Sequence, residues 1–292
     1  MAQTRALTAN PKRDILALRV GIIFSVLAAW EIVARSGLLF QDVVPPLFSI
    51  GRAFAALILG TEFYLNLQWT LFEVVTALFF GGVLGLATGL VLGANRFLAR
   101  AYEPYLYYLG STPKMIFFPV MIMLFGVGAG SKIALGFISC FFPIALSTAA
   151  GVRQINPVLI RVGKSFRAPV WRMVRDIYLP AMRAPVLNGC RLGLGIAIIA
   201  TLLAETKLSN RGVGYLVIQA FSTFDMPKMY ALLIAVFALA IAANALLSRA
   251  AAGRAGAQRV LYGGDGRRCR WRDHLWRGDS AAASRDALHR FA

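Results

Sequence analysis

Histidine, cysteine and acidic residues are scarce in this sequence, whose 292 residues include two His, three Cys and 13 Asp and Glu. The cysteines, Cys140, Cys190 and Cys269, lie far apart without metal-ligand spacing, and two of them lie in apolar runs. We therefore expect neither a disulfide nor a metal site. Because no cluster of His, Cys and carboxylates could carry catalysis, an enzyme is disfavoured, even one embedded in a membrane.

A nucleotide-binding motif is also missing. Residues 126–132, GVGAGSK, are similar to a phosphate-binding loop, but Ser131 stands where that loop has its second glycine and Ile133 replaces its Ser or Thr. The sequence therefore predicts no ATP site and no cofactor in this chain.

Apolar residues are abundant instead. The chain is 58% hydrophobic and 15% charged, with a mean hydropathy of +0.65, which is typical of a membrane protein. Its net charge of +18 would also suit nucleic acid, but the basic residues of a membrane chain collect in cytoplasmic loops. We expect contact with membrane lipid and no nucleic acid.

Six apolar stretches are long enough to cross a bilayer, which takes about 20 residues. They lie at about 16–34, 69–94, 104–125, 132–150, 186–204 and 229–247. The first follows a polar segment, 1–15, and is too long for a signal peptide, without a clear cleavage site after it. The sequence thus predicts an all-α integral membrane protein with six transmembrane helices.

The orientation follows from the basic residues. With the N-terminus inside, the inner segments hold 13 Lys and Arg and the outer segments hold 6. This distribution predicts that both termini and the loop 151–185, between the fourth and fifth spans, are cytoplasmic. The basic tail, 249–292, shows no periodic pattern, so we expect it to be disordered, with attraction to anionic lipid as the alternative.

Four glycines recur at four-residue spacing in the second span, so they share one face of a helix. This glycine ladder consists of Gly81, Gly85, Gly89 and Gly93. Small residues in such a row let a neighbouring membrane helix approach closely, and we predict a helix-packing seam there.

The loop 151–185 is polar and basic amid apolar neighbours. Asn156 and Pro157 form a good helix start, and Ala168-Pro169 should break that helix before a second, amphipathic one begins. A solvated connection between two membrane helices is the alternative to a functional segment.

Several short motifs follow one another along the chain in a definite order. They are Trp30-Glu31, Val44-Pro45-Pro46, the glycine ladder, Pro113 with Pro119, Phe125-Gly126, Ser131-Lys132, Phe142-Pro143, Ala150-Gly151, Ile177-Tyr178-Leu179-Pro180, Gly189-Cys190-Arg191, Ala204-Glu205 and Gly212-Val213-Gly214-Tyr215. Over about residues 28–248 the chain resembles the permease subunits of ABC importers of the nitrate, sulfonate and taurine type.

The resemblance implies a transport subunit of the bacterial inner membrane without catalysis of its own. It further implies a homodimer, separate ATP-binding cassette ATPases, an extracytoplasmic substrate-binding protein, and a small anionic solute such as a sulfonate, taurine or nitrate.

In that family the loop before the fifth span docks on the ATPase and carries a Glu-Ala-Ala, Gly and Ile-x-Leu-Pro pattern. Here the last part is intact, but Arg161-Val162-Gly163 occupies the first part and Arg167 the glycine position. A positive φ at an arginine costs on the order of 1 kcal/mol, so either the turn differs or the strain is tolerated. The expected docking residues are Ser165, Phe166, Arg167, Ala168, Pro169 and Trp171.

An ion-coupled secondary transporter is the alternative function. It predicts inverted repeats and ionisable residues deep in the spans, where we note only Lys114, and we favour an interfacial position for that lysine. Arg191 and Glu205, near the inner and outer ends of the fifth span, are candidate pathway residues. Both also stand where side chains reach for the interface, and we favour that reading.

Overall fold

The computed structural model describes residues 11–36, 43–207 and 209–262, with side chains from 15 to 249 within these ranges. The helices are α1 (Pro11–Arg35), α2 (Leu47–Leu59), α3 (Thr61–Ala94), α4 (Arg96–Ser111), α5 (Phe118–Phe125), α6 (Ala129–Arg153), α7 (Pro157–Ser165), α8 (Val170–Arg172), α9 (Leu179–Ala181), α10 (Arg183–Lys207), α11 (Val213–Ser222) and α12 (Met226–Tyr262). A 3₁₀ turn, Lys114–Phe117, precedes α5, and a π-helical segment, Met173–Tyr178, follows α8.

Among the described residues, five helices are long and apolar enough to cross a membrane: Ile15–Arg35, Thr61–Ala94, Ala129–Arg153, Arg183–Lys207 and Met226–Arg249. A bent pair, Arg96–Ser111 with Lys114–Phe125, makes a sixth span if it is counted as one. The described residues contain no β-strand. The all-α membrane fold predicted from the sequence is confirmed.

The bent pair covers the third predicted span, 104–125. Its two arms meet at 87°, and the backbone between them is extended at Thr112 and Pro113. Proline lacks an N–H and disfavours the helical conformation of the preceding residue, which accounts for the break in the helix at this point. The first arm also begins earlier than predicted, since the side chain of Asn95 accepts the N–H groups of Phe97 and Leu98 and caps α4.

The core of the membrane region is formed by α3, α6 and α10. Helix α6 is central, because its small and branched side chains are buried against both neighbours. The fully buried ones include Leu135, Cys140, Ile144, Ala145 and Ala149. None of the described side chains of α1 is buried, which places this helix at the periphery of the bundle.

Helix α1 is attached through the Trp30-Glu31 motif. The indole of Trp30 donates to the carbonyl of Pro45 at 3.2 Å and meets the ring of Tyr230 edge-on. The carboxylate of Glu31 accepts the N–H of Leu47 at 3.0 Å, which caps the first turn of α2. Two motifs separated in the sequence therefore form one joint.

The C-terminal region divides from the rest at Asn244, with one compact unit before it and one after it. Helix α12 continues to Tyr262, although the sequence shows no apolar periodicity beyond 249 and predicts disorder there. Alanine and arginine are strong helix formers, which accounts for helix without such a pattern. The remaining tail, including Cys269, and residues 1–10 lie outside the described residues.

Candidate functional site

The glycine ladder of α3 lies directly against α6. A Cβ atom added at Gly89 would lie 2.5 Å from both the carbonyl oxygen of Ala145 and the Cβ of Thr148. At Gly81 it would lie 2.3 Å from the sulfur of Cys140, and Gly85 and Gly93 also face this helix. The two backbones approach so closely that the seam has no room for side chains from α3.

At one end of this seam, the carboxylate of Glu205 joins three helices. Glu205 is fully buried and accepts hydrogen bonds from the hydroxyl of Thr70 and the N–H of Gly214, each at 2.7 Å. Thr70 in turn accepts the N–H of Val213 at 2.8 Å. These bonds fasten the end of α10 to α3 and to the first turn of α11.

Glycine is required where α11 begins. Gly212 has a φ of 108°, which favours glycine, and a Cβ atom there would lie 2.3 Å from the carboxyl carbon of Glu205. A Cβ atom at Gly214 would lie 2.5 Å from the carbonyl oxygen of Leu202. The Gly-Val-Gly motif thus leaves room for the carboxylate of Glu205 and donates a hydrogen bond to it.

A buried ion pair lies in the same region. The ammonium of Lys132, in the first turn of α6, is 3.2 Å from an oxygen of Glu73 on α3, and both side chains are buried. Lys132 also donates to the hydroxyl of Ser209 at 2.6 Å. The second oxygen of Glu73 is buried and accepts no hydrogen bond within the described residues. We call Thr70, Glu73, Lys132, Glu205 and Ser209 the polar cluster.

A cleft of about 520 Å³ opens beside the polar cluster. Glu73 and Lys132 line it, together with Trp69 and Arg211, whose guanidinium lies 4.9 Å above the indole ring. The cleft therefore combines a basic side chain, an aromatic face and a buried ion pair at the ends of the spanning helices.

The other sequence-predicted polar residues lie elsewhere. Arg191 is half-buried, its Nε has no hydrogen-bond partner within the described residues, and 14 positions of α10 separate it from Glu205, about 21 Å. Lys114 donates to the carbonyl of Gly110 and lies 5.5 Å above the ring of Phe142. It caps the end of α4, as basic side chains do at helix C-termini. The structure does not bring Arg191 and Glu205 together.

In the loop 151–185, α7 ends in a Schellman motif. The N–H of Ala168 donates to the carbonyl of Gly163 at 3.1 Å and the N–H of Arg167 to that of Lys164 at 2.9 Å. Arg167 occupies the left-handed position with a φ of 48°. The sequence left open whether the turn differs or the strain at Arg167 is tolerated, and in the structure Arg167 takes the strained conformation.

On either side of the break at Ala168-Pro169, the loop leaves a large aromatic side chain exposed. Phe166 is 82% exposed and Trp171 is 69% exposed. Gly163, by contrast, is buried, and a Cβ atom there would lie 2.6 Å from the Cδ1 of Ile177. This close approach packs α7 on the π-helical segment and turns the aromatic residues outward.

The π-helical turn stands where the sequence predicted an ordinary amphipathic α-helix. Pro180 cannot donate to the carbonyl four residues before it, and its ring would clash with that carbonyl in an α-helix. A wider turn before Pro180 avoids the clash.

Comparison with known proteins identifies this arrangement. A family model described as the binding-protein-dependent transport system inner membrane component matches residues 81–252. The chain belongs to this family.

Curated relatives of this permease are similar over most of its length. It is 29% identical over 206 residues to the aliphatic sulfonates transport permease protein SsuC of Bacillus subtilis, covering 70% of this chain and 75% of the relative. It is 26% identical to the taurine transport system permease protein TauC of Escherichia coli, covering 68% of this chain and 74% of the relative. The nitrate import permease protein NrtB of Synechococcus elongatus is 26% identical, with 78% and 85% covered.

A solved structure has the same fold. It shows inward-facing conformations of the MetNI methionine ABC transporter, with a TM-score of 0.58 and 19% identity, covering 64% of this chain and 93% of that one. The chain is therefore a multi-pass permease subunit of the inner membrane, without enzyme activity. Its partners are a separate ATPase and a substrate-binding protein. An ion-coupled secondary transporter is not favoured.

Sequence reasoning missed Glu73 as a buried ionisable residue of the permease. It lies in the predicted second span, three positions after Thr70 and four before Ala77, all on one helical face that is buried. A carboxylate on the buried face of a span, together with Lys132 at the start of another, is the signal that could have indicated an ion pair.

Relieving the strain at Arg167 should stabilise the end of α7. Replacing Arg167 by glycine removes a cost on the order of 1 kcal/mol, so the amides of residues 166–168 should exchange with solvent about fivefold more slowly. Hydrogen exchange of the purified permease measures this. Arg161→Gly, within the same helix, is the control and should speed exchange, because glycine costs about 1 kcal/mol in a helix interior. Equal acceleration by both variants would contradict the strained turn.

Proposed function

We propose that this permease forms, as a homodimer, the pathway for a small organic or inorganic anion, and that the residues at the break of loop 151–185 couple it to the ATPase. The observation that carries the coupling proposal is the exposure of Phe166 and Trp171, whose side chains the described part of the chain leaves largely uncovered. Large aromatic side chains with that exposure on a polar loop are typical anchors of an interface.

The proposed docking edge is short and continuous. It consists of Ser165, Phe166, Arg167, Ala168, Pro169 and Trp171. The Schellman motif fixes the direction of the chain between α7 and α8, so the edge is held before any partner arrives. Holding an interface in its bound form reduces the entropy lost on association, which favours affinity.

The orientation proposed for the chain places this edge in the cytoplasm. The inner segments hold 13 Lys and Arg against 6 in the outer ones, and five of the 13 lie between 156 and 180. Both termini would then be cytoplasmic, and the polar cluster would lie at the outer ends of α3, α6 and α10.

A second copy of the chain is the proposed cover for part of the apolar surface. In the apolar stretch of α3 that would cross the membrane, 28% of the residues are buried, and α5 leaves Met123 and Leu124 exposed. Lipid can solvate such surfaces, but a permease of this family is expected to be dimeric, and lipid covers the remainder.

The anionic solute is proposed from two observations. The relatives named above are described as permeases for sulfonates, taurine and nitrate. The cleft beside the polar cluster presents the guanidinium of Arg211 on the side proposed to face the binding protein. Screening the partner binding protein against sulfonates, taurine and nitrate tests the solute class, and preference for an uncharged sugar would contradict it.

Replacing Phe166 by alanine should uncouple the permease from its ATPase. Loss of an aromatic anchor costs about 2 kcal/mol or more of binding free energy, while the spanning helices do not depend on this side chain. The ATPase that co-purifies with the permease and the rate of solute uptake should both fall, at an unchanged permease level.

Leu159→Ala is the matched control for this experiment. Leu159 is also an exposed apolar residue of α7, but it lies outside the docking edge. Undiminished ATPase binding and uptake in Phe166→Ala would remove Phe166 from the edge, and a loss of permease protein would show that Phe166 packs within its own chain.

A further inference from the structure

A basic cleft of about 570 Å³ lies between α4 and α7, where α3 and α6 end. Arg96 and Arg100, four residues apart on one face of α4, line one wall, and Lys164 of α7 lines another. Arg153 lies at the end of α6 and also lines the cleft. This cleft belongs neither to the docking edge nor to the polar cluster.

Within the described residues, the positive charges in the cleft outnumber the negative ones. Among the described residues, Glu103 is the one acidic residue that lines it. Its Oε2 accepts a hydrogen bond from Arg153 at 2.8 Å, and its Oε1 lies 2.7 Å from the same guanidinium, so this carboxylate is already ion-paired. Arg96, Arg100 and Lys164 form no ion pair within the described residues. Three positive charges converging on one space repel each other, and an anion bound between them would relieve that repulsion.

Apolar side chains also line the cleft, namely Leu92, Val152, Ile155 and Ile160. Further apolar and aromatic side chains are exposed on α4 and α7, outside the lining. On α4, Phe97 is 78% exposed and Tyr102 is 57% exposed, and on α7 Val158 is also open. Aromatic residues at this depth are typical of the boundary between hydrocarbon and headgroups. The surroundings therefore suit a ligand whose charged part is continuous with an apolar one.

We propose that this cleft binds the phosphate headgroup of an anionic phospholipid, with the acyl chains along the exposed face of α4. Basic pockets at the cytoplasmic ends of spanning helices recognise such headgroups. The lipid would bridge α4 and α7 and so hold the loop 151–185 against the membrane domain. The orientation proposed above decides only which leaflet supplies the lipid, and binding in the cleft does not depend on it.

The test counts lipids on the purified permease–ATPase complex. The complex is reconstituted in nanodiscs of phosphatidylcholine with phosphatidylglycerol, extracted gently, and examined by native mass spectrometry. The unaltered permease should retain phosphatidylglycerol in preference to phosphatidylcholine. Arg100→Gln and Lys164→Gln should each weaken phosphatidylglycerol binding about fivefold, since one basic side chain near the surface contributes about 1 kcal/mol.

Arg161→Gln is the matched control, because Arg161 is an exposed basic residue of α7 that does not line the cleft. Phosphatidylglycerol retention equal in all three variants would overturn the proposal. So would inorganic phosphate binding in the cleft without any lipid retained, which would assign the cleft to a free anion. Loss of ATPase from Lys164→Gln at an unchanged lipid count would instead assign it to the protein interface. The number of bound lipids is measured without a transport assay, so this result is independent of the result of the Phe166→Ala experiment.

Discussion

Replacing Lys132 by methionine should destabilise the folded permease by about 3–5 kcal/mol, because the carboxylate of Glu73 would stay buried without its counter-charge. The lost bond to Ser209 adds to this effect. Thermal unfolding of the purified complex, followed by the fluorescence of a thiol- or aromatic-sensitive probe, should show a melting temperature lower by on the order of 10 °C.

Two further variants show whether the ion pair is the cause. Lys114→Met removes a half-buried lysine that has no acidic partner among the described residues, and it should have a much smaller effect. Adding Glu73→Met to Lys132→Met should recover much of the loss, because apolar residues of similar volume often replace a buried ion pair without penalty. If Lys132→Met melts like Lys114→Met, the pair does not stabilise the fold.

Replacing Gly89 by leucine should separate α3 from α6. A Cβ atom there already falls 2.5 Å from a backbone oxygen, so relief requires movement of a helix rather than of a side chain. Overpacking of this kind costs about 3 kcal/mol, and the variant should express poorly or melt early.

Gly82→Leu is the control on the same helix, since nothing lies within 4 Å of a Cβ atom at that position. It adds the same side chain toward open surroundings and should be close to neutral for folding. A ladder variant no worse than Gly82→Leu would show that α3 and α6 do not depend on their close approach.

The fold could be predicted from the sequence because membrane helices are recognised by their length and hydropathy. The sequence also indicated Arg167 as a position where φ could be positive, because the family pattern has glycine there and glycine commonly takes the left-handed conformation after a helix. The sequence shows Pro113 but does not predict the 87° bend beside it, because prolines also occur inside straight spans.

The polar cluster was harder to anticipate. The position of Glu205 near the end of the fifth span predicts that this side chain reaches for the interface, whereas it is fully buried and bonded to Thr70 and Gly214. Its partners are 135 and 9 positions away, and only the packing of α3, α10 and α11 brings them together. A pathway role for Glu205 or Arg191 stays a prediction.

The seam between α3 and α6 limits how this permease can move. Helices whose backbones touch at four successive turns cannot slide or rotate against each other without collision, so they behave as one stiff element. The transport cycle must then leave this pair intact and place its joints elsewhere, at elements with few such contacts. The break at Thr112–Pro113, where the chain is already bent by 87°, is one such place.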